Sequence, residues 1–186
     1  MFFSGSGEEE KRGGKDVVMN NSPKITTNGI VPVLSISPME EDHFFLQNIL
    51  NRLQGTLDPS RTFTVNSCAT LASALLALRK RQFEVVVCER DLPPGSWKDV
   101  LEQVTILPDP PSLIVTSRLA DERLWAEALN LGAYDVLAKP FDSAEAMRVF
   151  GAAWRAWGGP VRLPARQERY KYKVAAVGGG VRVLAG

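Results

Sequence analysis

The chain has 186 residues, 45% of them hydrophobic and 23% charged, which supplies one packed domain with appendages and excludes wholesale disorder. Its 22 basic and 21 acidic residues nearly cancel, so no chain-wide charge points to nucleic acid or an anionic membrane as partner. Two cysteines, Cys68 and Cys88, have neither metal-ligand spacing nor disulfide-scaffold density and fit buried thiols in a reducing cytoplasm. No apolar run nears the roughly 18–20 residues of a membrane span, and no signal peptide is expected.

Residues 1–30 mix Gly, Ser and Asn with the cluster Glu8-Glu9-Glu10-Lys11-Arg12 and show no sustained apolar period, so they are expected to form a disordered arm. From residue 31 to 157 the texture is that of a folded domain. Short β-branched or apolar runs, Val33–Ile36, Phe63–Val65, Val85–Cys88, Leu113–Val115 and Asp135–Ala138, alternate with longer stretches of helical period.

The first helix is expected over Met39–Leu53, with Phe45, Ile49, Leu50 and Leu53 along one face and Gly55 as terminator. The second, Thr70–Arg81, buries Leu71, Leu75 and Leu78 and ends in Arg79-Lys80-Arg81, which complements the negative end of its dipole. The third starts near Ser96 or Trp97 and stops before Pro108 and Pro110. A fourth over Ala120–Leu131 closes at Gly132, and a fifth over Ser143–Trp157 opens with Asp142 and Glu145 at capping-box spacing. Five strands alternating with five helices imply a parallel sheet covered on both faces, with its chemistry at the carboxyl ends of the strands.

Those ends read Ser37-Pro38, Glu89, Thr116 and Lys139, and here the sequence resembles the response-regulator receiver family from about Pro32 to Trp157. The resemblance is carried by Val85-Val-Val-Cys-Glu-Arg-Asp-Leu-Pro93, by Leu113-Ile-Val-Thr116-Ser117, and by Leu131-Gly-Ala-Tyr-Asp-Val-Leu-Ala-Lys139-Pro140-Phe141, in that order and spacing. It implies a flavodoxin-like, doubly wound (βα)5 three-layer sandwich whose five-stranded parallel sheet has the order 2-1-3-4-5. It also implies a pocket in which two acids after the first strand and an aspartate after the third hold Mg²⁺, the latter accepting a phosphoryl group. A strand-four hydroxyl and a strand-five lysine contact the phosphoryl oxygens, and Thr116 and Lys139 match those positions.

The departures mark a degenerate, pseudo-receiver member. Ser37 and Pro38 stand where the acidic pair belongs, Glu89 replaces the acceptor aspartate, and Val136 occupies the place of the switching aromatic. Glu89 against Lys139 makes a near-neutral pocket, a poor match for a hard dication that wants several oxygen ligands. Mg²⁺ binding is therefore expected to be weak or absent, no other cofactor is expected, and ordinary phosphotransfer should be very slow or absent. Glu89 is read first as half of a structural ion pair with Lys139, and second as an imitation of the modified state, its extra methylene carrying the carboxylate outward.

Other residues get plainer readings. Asp91 lies two residues beyond the strand end and is expected to face solvent; Glu40, Glu41 and Asp42 are assigned to the positive end of the first helix. His43, without a Cys or His neighbour, is expected on the surface. Met147, Phe150, Trp154 and Trp157 share a helical face, read as core whose end projects; the family's output face, formed by the fourth helix, fifth strand and fifth helix, makes Trp125, Phe150 and Trp154 candidates for partner contact. Residues 158–186, with Arg162, Arg166, Arg169, Lys171, Lys173 and Arg182 against Glu168, form a basic tail expected to be poorly ordered. The triplet Gly178-Gly179-Gly180 lacks a phosphate-loop context.

The leading expectation is a cytoplasmic, non-enzymatic module of a two-component or phosphorelay system that acts by contact with a histidine kinase, an effector or a second copy. A still-active receiver using an unusual carboxylate, Glu89 or Asp91, and a nucleic-acid regulator acting through the basic tail are the alternatives.

Overall fold

The computed structural model describes residues 29–57 and 59–158. The expected disordered arm and basic tail, apart from their inner ends, lie outside these residues. Twelve elements follow in chain order: β1 (Ile30–Ile36), α1 (Glu40–Leu57), β2 (Thr62–Cys68), α2 (Leu71–Lys80), β3 (Val85–Glu89), β4 (Asp91–Leu92), β5 (Gly95–Ser96), α3 (Trp97–Thr105), β6 (Ser112–Ser117), α4 (Glu122–Leu131), β7 (Asp135–Ala138) and α5 (Ser143–Gly158).

Five strands form one sheet in the order β2-β1-β3-β6-β7, and every neighbouring pair is parallel. Counted within this sheet the order is 2-1-3-4-5, the doubly wound arrangement expected. Period-2 alternation divides the strand side chains between two cores. Leu34 and Ile36 of β1, Val86 and Cys88 of β3, Leu113 and Val115 of β6 and Val136 of β7 pack toward α2, α3 and α4. Val31 and Val33, Val85 and Val87, Ile114 and Leu137 pack on the other face against Leu46, Ile49, Leu50 and Leu53 of α1 and Val149, Phe150 and Ala153 of α5.

Local chemistry sets the helix boundaries. Thr70 accepts the Ser73 amide while its own amide is bound by the Ser73 hydroxyl, a full capping box at α2. Ser96 and Asp99 do the same for α3. Asp121 accepts the Leu124 amide at 2.8 Å, which makes it the cap and starts α4 two residues later than the expected Ala120. Gly132 closes α4 at φ 117°, a conformation that disfavours any side chain. Asp142 accepts the Glu145 amide at 2.7 Å at the start of α5.

Two further features differ from the sequence expectation. α1 runs through Gly55 to Leu57 instead of stopping at Leu53. A glycine in a helix costs about 1 kcal/mol against alanine, too little to end one by itself. The second difference is the hairpin β4–β5, whose two-residue strands carry no periodic signal. It needs a small residue at Gly95, where an added Cβ would lie 2.5 Å from a Leu71 methyl and 2.8 Å from the Asp99 carboxylate.

Candidate functional site

The carboxyl ends of β1, β3, β6 and β7 bring Ser37, Glu89, Thr116 and Lys139 to one edge of the sheet. Backbone bonds beyond the strands hold these ends: Ser37 N–H donates to the Cys68 carbonyl at 3.0 Å, Arg90 N–H to that of Thr116 at 2.8 Å, and Lys139 N–H to that of Ser117 at 2.8 Å. Each amide lies just past its strand and extends a ladder by one step, so the loops leave the sheet with fixed direction.

At the centre stands the Lys139 ammonium, which donates to the Glu89 carboxylate and also to that of Asp42. The side chains are only 7% exposed for Lys139, 15% for Asp42 and 16% for Glu89, so this is a largely buried cluster of three charges. Burial matters because a buried charge that loses its partner costs several kcal/mol, whereas an exposed one costs little. The Ser37 hydroxyl donates to the same Asp42 carboxylate and accepts the Met39 amide at 3.1 Å. Ser37 therefore fixes both the entry to α1 and the position of Asp42.

Asp42 corrects the sequence reading, which gave it to the helix dipole along with Glu40 and Glu41. Its position is set by the stripe Asp42, Leu46, Ile49 and Leu53, whose three apolar members are buried. An acid at the top of a buried stripe points over the end of the sheet. The pocket thus holds two carboxylates against one ammonium, a formal charge of −1, where the sequence reading had it near neutral.

His43 is likewise not a free surface residue. It is half-buried, with Nδ1 2.7 Å from the Ser35 hydroxyl and Nε2 3.1 Å from the Ser37 carbonyl. A carbonyl only accepts, so Nε2 carries a hydrogen; in the neutral ring Nδ1 then accepts from Ser35. The buried Ser35 hydroxyl is thereby satisfied, and α1 is tied to β1 beside the pocket.

Behind the charged cluster lies a cavity of about 10 Å³, lined by Ser35, Ser37, Asp42, Thr116 and the rings of Phe45, Phe141 and Phe150 among others. It has room for no more than one water. Phe45 and Phe141 stack at 4.8 Å, and Lys139 Nζ lies 5.6 Å from the Phe141 ring centroid. The ammonium is thus held by two anions and bordered by a π face.

As for a divalent ion, the donors do not suit one in this arrangement. Both carboxylates and the Ser37 hydroxyl are engaged with Lys139 or each other, and Pro38 supplies no side-chain ligand. Among the described residues no group of three or more His, Cys, Asp or Glu is placed to hold a metal.

The remaining candidates are placed as follows. Thr116 is buried on the pocket wall, and Val136 is fully buried in the core toward α4. Asp91 faces outward, 65% exposed, and pairs with Arg90 at 2.7 Å; this bond holds the Arg90 guanidinium above its ordinary range. Burial pushes the Cys88 thiol up as well, and Cys88 Sγ lies 3.2 Å from the Glu89 carbonyl.

Of the three residues expected on an output face, Phe150 needs correction. Phe150 is 3% exposed in the core between α1 and α5 and offers no surface. Trp154 turns inward, its Nε1–H donating to the Glu84 carboxylate at 2.8 Å and its ring set edge-on to Phe63. Trp125 is partly buried against the α2–α4 core. Aromatics at three- and four-residue steps on α5 belong to packing, because that face is the one the sheet covers.

The family model described as the response regulator receiver domain matches residues 40–150, more than half of the chain. The chain belongs to that receiver family. No curated protein matches it in sequence. Among solved structures, this receiver is similar to a two-component response regulator from Clostridium difficile, at 15% identity and a TM-score of 0.58, with 69% of this chain and 99% of that one covered. It is similar too to the signal receiver domain of a LuxO repressor protein from Vibrio parahaemolyticus (16% identity, TM-score 0.58, 80% and 98% covered). A third is the chemotaxis response regulator CheY4 of Vibrio cholerae (15% identity, TM-score 0.52, 67% and 98% covered). At such identities the likeness speaks to the fold, which the receiver shares. Among the described residues no helix is long and apolar enough to cross a membrane.

Proposed function

We propose that this receiver is a cytoplasmic signalling module of a two-component or phosphorelay system that acts by protein contact, without catalysis of its own and without ordinary aspartyl phosphorylation. The observation that carries this reading is the Lys139 ammonium shared between Asp42 and Glu89. Phosphoryl transfer requires a cation that neutralises the transferring group, normally a divalent ion held by several oxygens. Here the side chains that would hold it are committed to an internal cation, and the acceptor position carries Glu89. No cofactor is assigned, and Mg²⁺ is expected to bind weakly or not at all.

Within this reading Glu89 is first a structural partner of Lys139. Its imitation of a phosphorylated aspartate is the stronger claim, and the variants Glu89→Gln and Lys139→Ala separate the two. If both bind a partner kinase or effector as wild type does, the pair is structural; a loss confined to the state-dependent partner supports the mimic.

The test of the main proposal is intact-mass measurement after incubation with Mg²⁺ and a small phosphodonor. The expected result is no phosphoryl increment. A metal-dependent increment that maps to Glu89 or Asp91, or to Asp42, would make the chain a working phosphoacceptor, and the proposal would fall.

A further inference from the structure

The outer face of α1 carries a pattern that the pocket does not explain. Glu41, Phe44, Asn48 and Arg52 lie at steps of three, four and four residues, one stripe of the helix, and all four are exposed. Phe44 is 73% exposed, a large apolar ring standing free on a helix in the middle of polar neighbours. No side chain of the four has a hydrogen bond or ion pair among the described residues. Asn48 sits at the midpoint of the Glu40–Leu57 helix, with the acidic residues in its first turn and Arg52 in its second half.

We infer that this stripe is a self-complementary surface through which two copies of the chain associate, their α1 helices antiparallel about a two-fold axis at Asn48. In such a pair each residue faces the one equally far on the other side of the axis, so that Phe44 of one copy lies opposite Arg52 of the other, about 6 Å from the axis on either side. Each guanidinium stacks on a Phe44 ring and reaches Glu41 one turn further on, and symmetry makes the contact twice. Antiparallel packing also sets each positive helix end near a negative one. A second copy is the occupant because the acid, the ring and the cation are all present on one stripe, in the order that a two-fold axis requires. A foreign antiparallel helix would need the same acid, ring and cation order on its own face, which nothing here specifies.

One helix pair covers less than the roughly 800 Å² per partner of a standard stable interface, so the dimer is expected to be weak and concentration-dependent. This inference does not rest on the phosphorylation reading.

Sedimentation equilibrium of the full chain tests it. Wild type should show a monomer–dimer equilibrium, and Phe44→Ala should weaken it about tenfold, as loss of a central aromatic anchor does. Glu41→Arg and Arg52→Glu should each be monomeric, since each places like charges across the axis. A mixture of the two variants should dimerise again, because one copy then carries two arginines and the other two glutamates. All four positions are exposed, so folding is retained, and circular dichroism checks it. A wild type that stays monomeric at millimolar concentration overturns the inference, as do dimers that persist in both charge variants or a mixture that fails to recover association.

Discussion

β3 begins and ends beside a carboxylate held mostly out of water, and the two stand in different settings. Before its first residue Glu84, 2% exposed, accepts the indole N–H of Trp154 at 2.8 Å, a donor carrying no charge of its own. At its last residue Glu89 meets the Lys139 ammonium, which it shares with Asp42. The first end is closed by an aromatic ring from α5. The second lies where strands end and loops begin, so its charges remain reachable from one side. The same residue type is thus an anchor at one end of a strand and part of the sheet-edge pocket at the other, because parallel topology gathers loops at the carboxyl edge alone.

The contrast can be broken most severely at Lys139. Replacing it by methionine keeps the volume but leaves Asp42 and Glu89 converging with no cation between them. We expect a loss of about 3–5 kcal/mol in urea unfolding, the cost of breaking a buried ion pair from one side. Mn²⁺ should raise the unfolding midpoint of Lys139→Met and leave wild type unchanged, since a ligand that binds the folded state stabilises it and only the variant has vacant carboxylates. A loss under 1 kcal/mol would mean that the cluster is screened by water and is not the charge-balanced unit described.

At the other end, Trp154→Phe keeps the ring against Phe63 but removes the indole donor. The expected cost is about 1–3 kcal/mol, that of leaving a buried acceptor short of a hydrogen bond. Because the indole donor that is removed carries no charge, this loss should be insensitive to salt, whereas the Lys139→Met loss, which leaves two carboxylates converging, should shrink as ionic strength rises. Equal salt responses at the two ends would erase the distinction between them.

How much of this was legible in the sequence follows from the range of the interactions. Strand alternation is local, and Val31, Val33, Leu34 and Ile36 of β1 divide between the two cores as a period of two requires. The pocket positions Glu89, Thr116 and Lys139 were read from motif order, and the structure brings Glu89 and Lys139 into contact. Asp42 was misassigned because an acid in a first helical turn satisfies a local rule, and the local rule was preferred to the stripe it shares with Leu46, Ile49 and Leu53. His43 beside it reads as a surface residue for want of a Cys or His neighbour, whereas its partners are Ser35 and Ser37, which no spacing rule links to a histidine on the next helix. Glu84 gave no signal, since its donor Trp154 lies 70 residues away on α5 and only the folded sheet brings them together.

The smallest effect is expected at Asp91, whose contact resembles the pocket in chemistry but not in setting. It too is a carboxylate bonded to a cation, Arg90, at 2.7 Å. Here, however, the side chains are 65% and 31% exposed, and the partners are sequence neighbours at the start of the β4–β5 hairpin. Water solvates both charges whether or not they touch, so an exposed pair contributes about 0–1 kcal/mol. Asp91→Asn should therefore change stability by less than about 0.5 kcal/mol and leave the response of Lys139→Met to Mn²⁺ intact in the double variant. A larger loss, or a Mn²⁺ response that vanishes with Asp91, would place this residue in the pocket and make its outward orientation wrong.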